Sequence, residues 1–338
     1  MMLKESLKKF LPSPILGLIR RIKFSVKLSS NCFCDYKAYL RWSATDYPPK
    51  TQEQLRAIII VNYHKIEKGL SLKNPRPGFG IAAVNQLVVD ARDYIKKYGN
   101  DATVEIANKV LNAYQVFNQK AGVENHALEK NIQQLLEISN NVGNDLASGG
   151  VKTVLKDEII KSACLPLESF FQSRYSIRHF SDEVVEMHLI NRAISMASKT
   201  PSVCNRQTCK VYIFSDLSQK AQLLKYQNGN RGFGEQIDKL LIITSNLQDF
   251  ISVGERNQCW IDGGMFAMSV VYALHSLGLG TCCLNLSIEN DTADALHTVA
   301  QIPSYESLIM MIAVGHLPAS LNVACSFRKD LSEILVPR

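Results

Sequence analysis

The feature that most constrains this chain is a change of apolar periodicity near residue 150. Before it, Leu55, Ile58, Ile59, Tyr63 and Ile66 recur at the spacing of one helix face, which predicts a helix over 51–70. A loop over 71–80 carries Pro75, Pro77, Gly78 and Gly80. Further helices follow over 81–98, stopped by Gly99, from Asp101 as a cap to near Gly122, and over 125–141. The stretch NDLASGG over 144–150 is a linker, and beyond it short apolar runs of strand character appear at 211–215, 240–245, 281–286 and 308–314. Helical patterns at 188–198 and 261–276 lie between them, the second apolar nearly all round as a central buried helix would be. One all-helical domain followed by one α+β domain is the organisation this implies.

A chain of 338 residues, 46% apolar and 20% charged, is long enough for two ordinary cores. The expected division is a basic amphipathic segment over 1–30, a helical domain over 31–150 and a second domain over 165–338. No apolar run reaches the ~20 residues that span a bilayer. The best candidate, 265–274, is short and bounded by Asp262 and His275. Basic and apolar residues are mixed from Lys4 to Lys27 rather than ordered as in a secretion signal, so a cytoplasmic location is expected. The nine cysteines include no CxxC pair, and Cys32 and Cys34 lack a second ligand pair, so they read as ordinary thiols with no metal.

The net charge of +7 is concentrated at the start. Residues 1–28 hold Lys4, Lys8, Lys9, Arg20, Arg21, Lys23 and Lys27 against Glu5 alone, interleaved with Leu7, Phe10, Ile15, Leu18, Ile19, Ile22 and Phe24. Such a pattern suits contact with an anionic membrane surface, or a helix docked on its own domain, or a frayed tail. Pro12 and Pro14 interrupt the stripe and favour the latter two. Nucleic-acid binding is excluded as the main role, because no recognition motif and no further basic patch are present.

Within the helical domain, 64–80 is dense in polar and glycine residues. His64, Glu67 and Lys68 fall on neighbouring turns, with Arg76 on the loop as a candidate anion clamp. A surface helix end with a tight loop is the plainer reading and the one favoured, since no catalytic geometry can be read there.

The chemistry concentrates in the second domain, at Arg174-Tyr-Ser-Ile-Arg178, followed by His179 and Phe180. Two arginines four apart with Ser176 between them suit an anionic group, because guanidinium forks match phosphate oxygens. Pro201-Ser-Val-Cys-Asn-Arg-Gln207 follows a helix and precedes a strand. No GxGxxG follows a strand, so a dinucleotide-binding Rossmann unit is not expected.

RYSIRHF, PSVCNRQTC, the long apolar helix ending in Gly278-Leu-Gly280, and Val314-Gly-His-Leu-Pro318 stand in the order seen in the nitroreductase family, which this half of the chain resembles. The resemblance implies an FMN-binding fold with a central, mainly antiparallel sheet flanked by helices. It also implies that Arg174 and Ser176 hold the FMN phosphate or ribityl chain and that Arg178 faces the pyrimidine edge, where a cation favours the reduced flavin. Ser202, Asn205 and Gln207 match a motif that in the family lines the flavin of the partner subunit. Thr208 and Cys209 depart from the usual Pro-Trp there. Cys283, Leu284 and Asn285 fall where the family backbone passes flavin N5, Asn230 beside Arg231 is a candidate for the polar edge, and Arg328 fits a second phosphate-binding position. His179 and His316 read as packing or capping residues.

By the same resemblance the expected activity is an FMN-dependent oxidoreductase in a homodimer. It takes hydride from NADH or NADPH and reduces a nitro compound, quinone or activated alkene. Two alternatives stand beside it: a flavin dehydrogenase of a biosynthetic intermediate recognised with the helical domain, and a flavin-free binding protein, supported by Thr208 and Cys209.

Overall fold

The computed structural model describes residues 12–45, 48–72, 75–123, 125–139, 149–151, 166–321, 323 and 330–338. Its first element is a single helix of 30 residues, α1 (Ser13–Trp42), which runs across the expected boundary at residue 30. Pro12 and Pro14 do not interrupt it. Pro12 is the residue before the helix and Pro14 lies in the first turn, where a backbone N–H has no intrahelical partner to lose.

Four helices follow close to the sequence expectation: α2 (Gln52–Leu70), α3 (Ile81–Tyr98), α4 (Ala102–Lys120) and α5 (His126–Ile138). Each start that carries a polar cap uses it. Thr51 Oγ1 accepts from Gln54 N while Gln54 Oε1 accepts from Thr51 N, Asp101 accepts from Thr103 N, and Asn125 accepts from Leu128 N. The amide of Gln54 also donates to the carbonyls of Trp42 and Ser43, tying α2 to the end of α1. The apolar faces meet in one core in which Tyr94, Tyr114, Leu87, Leu111 and Ile132 are fully buried. Most of the 144–150 linker lies outside the described residues.

The loop over 75–80 is built for packing. The Phe79 ring crosses α2 at Gly69, where a Cβ would lie 1.9 Å from it, and stacks edge-on against Tyr114. Gly78 N donates to Asn118 Oδ1, and Gly78 and Gly80 adopt positive φ. His64 faces Glu67 at 3.4 Å and Glu67 accepts from Gly150 N, while Lys68 and Arg76 are exposed.

The C-terminal unit is a four-stranded antiparallel sheet of order β1-β2-β4-β3, with β1 Cys209–Phe214, β2 Lys239–Asn246, β3 Leu279–Asn285 and β4 Glu306–His316. Alternate side chains of the central strands serve two cores. Leu241, Ile243, Ile312 and Val314 pack on α7 (Met187–Ala197) and α9 (Gln258–Ser276). Leu240, Ile242, Met311 and Ala313 pack on α8 (Leu217–Leu224) and α10 (Asn290–Ala300). Short helices α6 (Leu167–Gln172) and α11 (Leu331–Ile334) flank this unit in the chain. An antiparallel sheet covered by helices on both faces, preceded by an all-helical region, is the α+β arrangement expected. The one difference within it is α9, whose Trp260, Ile261 and Met265 are exposed although the helix is apolar nearly all round.

Candidate functional site

Two segments far apart in sequence, 176–181 and 315–316, meet at the edge strand β3. Ser176 makes a parallel bridge to Thr281, Ile177 N donates to Thr281 O at 2.8 Å, and Ser181 N donates to His316 O at 3.0 Å. Close approach requires the glycines: a Cβ on Gly280 would lie 3.1 Å from Ile177, and one on Gly315 would lie 2.7 Å from the Phe180 ring. The first, third and fourth motifs are therefore one packed unit. Gly278 turns the chain from α9 into β3 at φ 79°, which a side chain would strain.

This packing lays Arg174, Ser176 and Arg178 beside 281–285. Arg174 is half-buried, and Ser176 and Arg178 are exposed. Among the described residues neither arginine is paired with a carboxylate, and Arg178 reaches only the Ser176 carbonyl at 3.5 Å. Along β3 the side chains of Cys283 and Asn285 are exposed while Leu284 is buried in the sheet core. Leu284 can thus offer a ligand only its backbone. Although the Cys283 side chain is exposed, its surroundings raise the thiol, Cys282 adds to this, and Arg174 acts the other way. A thiol held in its neutral form is a weak nucleophile. Asn285 accepts from Gln227 Nε2 through its carbonyl and from Ser287 N through its side chain.

A cleft of about 190 Å³ lies beside Arg174, lined also by Ser173, Thr281 and His275. His275 was not singled out from the sequence. Its Nε2 lies 3.0 Å from Ser173 Oγ and 3.2 Å from Phe170 O, and burial, with help from Arg174, lowers its pKa. Nothing in residue spacing marks it, since it is the last basic residue of an otherwise apolar helix.

Ser202, Asn205 and Gln207 stand elsewhere. They precede β1 at the opposite edge of the sheet, three strand spacings or about 14 Å from β3. Ser202 braces its own loop by accepting from Gln207 N, while Asn205 and Gln207 are exposed. Cys204, Asn205 and Gln207 all have φ near +50°, an unfavourable conformation for residues other than glycine. The loop is held by Arg206, which the sequence reading passed over. Its buried guanidinium donates to Val203 O, Asp249 O and both carboxylate oxygens of Glu255. Asp262 adds an acceptor for Val203 N. Thr208 is buried against Ser245 and burial pushes the Cys209 thiol up to about 12, so both serve the sheet edge.

Asn230 donates its amide to the carbonyls of Leu224 and Gln227, bracing its loop. It lines a cleft of about 480 Å³, which shares no residue with the one beside Arg174. Arg328 lies outside the described residues. His179 is exposed and His316 lies 3.8 Å from Glu186. No described helix is long and apolar enough to cross a membrane.

The profile described as the Nitroreductase family matches residues 171–230 and 217–316, the half that carries the motif resemblance. No curated protein matches the chain. Among solved structures, a nitroreductase provisionally so described from Desulfovibrio desulfuricans, in complex with FMN, is 21% identical over 52% of this chain and 97% of its own, with a TM-score of 0.45. A nitroreductase family protein from Streptococcus pneumoniae is 20% identical over 51% and 100%, at 0.44. An FMN-dependent nitroreductase from Clostridium difficile is 21% identical over 50% and 98%, at 0.42.

Proposed function

We propose, from a C-terminal half that matches the Nitroreductase family, that the protein binds FMN and transfers electrons from NADH or NADPH to an electron-poor acceptor. The acceptor class is a nitro compound, quinone or activated alkene. The observation that carries this reading is a pair of arginines that meet no carboxylate among the described residues, beside exposed Cys283 and Asn285 and with Ser176 between them. That donor set suits FMN: a dianionic phosphate for Arg174 and Ser176, and a polar ring edge for Arg178. FMN, when bound, supplies the hydride and electron chemistry. The protein's part is to bind, to orient and to keep a fixed positive charge at Arg178 where negative charge accumulates. Backbone groups over 283–285 offer the ring its contacts.

The reading includes a homodimer. Ser202, Asn205 and Gln207 lie across the sheet from Arg174, so a single chain gathers half of the residue set, and a second copy would supply the other half. The exposed Trp260, Ile261 and Met265 of α9 are the apolar surface such a copy would cover. A cytoplasmic location belongs to the same proposal.

The test is the absorption spectrum of the purified protein, with mass analysis of whatever denaturation releases and a repeat after anaerobic NADH or NADPH. Stoichiometric FMN that bleaches with nicotinamide supports the oxidoreductase. A colourless protein that takes up no added FMN would leave the flavin-free binding protein in its place.

A further inference from the structure

Helix α1 has two faces with different fates. At about 100° per residue, Lys27, Asn31, Ala38, Tyr39 and Trp42 share the side turned to the C-terminal unit. Lys27 pairs with Glu289 at 2.7 Å, Asn31 accepts from Asn290 N through its side-chain oxygen and from Asn290 Nδ2 through its carbonyl, and Tyr39 donates to Ser252 O. Ala38, Tyr39 and Trp42 pack on Leu247, Phe250 and Cys259. The opposite side carries Ile15, Leu18, Ile22, Val26, Phe33 and Leu40, separated by three, four or seven residues. These six form one stripe along the helix, each 44–64% exposed.

The charge on this helix is one-sided in sign. Between Ser13 and Trp42 stand Arg20, Arg21, Lys23, Lys27, Lys37 and Arg41, and the sole acid is Asp35. Asp35 is on the body side, hydrogen-bonded to Asn290. No acid therefore flanks the apolar stripe. Two copies of the helix packed stripe to stripe would meet basic flanks with no carboxylate to pair. An anionic lipid surface satisfies both features at once: the acyl boundary takes the stripe and headgroup phosphates take the cations. The residues upstream extend the composition, with Lys4, Lys8 and Lys9 among Leu3, Leu7, Phe10 and Leu11.

We propose that the outward face of α1 docks the protein on an anionic membrane surface, the helix lying in the interface plane. The stripe from Ile15 to Leu40 inserts, and Arg21, Lys23, Lys37 and Arg41, which flank it, sit at the phosphate level. The length of 30 residues with low net hydrophobicity is that of a helix lying on a membrane rather than crossing it. The proposal does not rest on flavin binding.

The experiment is flotation of the full chain with vesicles of phosphatidylcholine alone or with about one third phosphatidylglycerol, at low and high salt. Binding to the anionic vesicles should exceed binding to the neutral ones by roughly tenfold or more and should weaken with salt. The exposed double variant Ile22→Glu/Phe33→Glu should lose roughly tenfold in binding with an unchanged melting temperature. Equal partition to both vesicles, or full binding by the double variant, would overturn the proposal. So would a double variant with half the wild-type mass in vesicle-free light scattering, which would assign the stripe to a second copy. An unfolded double variant is replaced by Arg21→Glu/Lys23→Glu, for which the same loss of anionic binding is expected and its retention counts against the proposal.

Discussion

At the scale of single residues, Arg206 sustains a loop that its own chain disfavours. Each left-handed residue other than glycine costs on the order of 1 kcal/mol, and three of them surround Arg206. Burial acts to raise the Glu255 carboxyl, but hydrogen bonds from Arg206 and Ile251 N outweigh it and hold the group below its ordinary range. Lysine lacks the planar fork, so Arg206→Lys should destabilise the fold by about 2–4 kcal/mol in denaturant titration and lower flavin retention with it. A variant with unchanged stability would mean that the loop holds itself. Beside it, burial pushes the Asp249 carboxyl up to about 7, against the pull of Arg206. Its unfolded value is about 3.9, so the native state holds the proton more tightly. The corresponding stability is present below pH ~4 and is lost as pH rises through ~7. Asp249→Asn cannot ionise, so the melting temperature of wild type relative to this variant should fall between those limits. A difference that stays constant with pH would show that Asp249 is ionised throughout.

At the scale of elements, α9 is buried on the sheet and bare on its far side, which is where the proposed dimer makes a claim. Ile261→Glu places a charge in a helix face that, exposed in one chain, has no partner to lose. It should halve the mass in light scattering and release FMN while leaving far-UV circular dichroism unchanged; a variant that stays dimeric would move the contact to another surface. The strands and helices of this unit were readable because the central strands β2 and β4 alternate between two cores, and because α7 and α9 carry apolar stripes of helical period. α1 was legible only in part: proline was weighed as a breaker, but in the first turn it starts a helix. The candidate site was readable where a motif is packed as one piece, as Phe180 is on Gly315 and Ile177 on Gly280. Arg206 was not readable, because Glu255 lies 49 residues away and no local pattern announces a buried pair. Nor was the separation of Ser202 from Arg174, which strand order decides and sequence order does not.

At the scale of the whole molecule, the helical region is joined to the candidate site through packed contacts. α2 abuts the turns at 203–205 and 247–249, Ala44 N donates to Phe250 O at 2.7 Å, and Trp42 meets Tyr305 edge-on. Tyr39 and Trp42 cover the cluster of Leu247, Phe250 and Cys259, which joins the loop bearing Ser202 through Val203. Removing residues 1–150 would expose that cluster and the flank of the strained loop. At about 1.5–3 kcal/mol for each large apolar side chain returned to water, the cost is on the order of 5 kcal/mol, comparable to the whole stability of an ordinary domain. The fragment starting at residue 151 should therefore melt well below the full chain and lose flavin, whatever acceptor is offered. If instead it keeps both its melting temperature and its FMN and changes only which acceptors it reduces, the helical region acts as a recognition lid over the pocket. The reading of a flavin dehydrogenase for a larger intermediate would then gain the advantage.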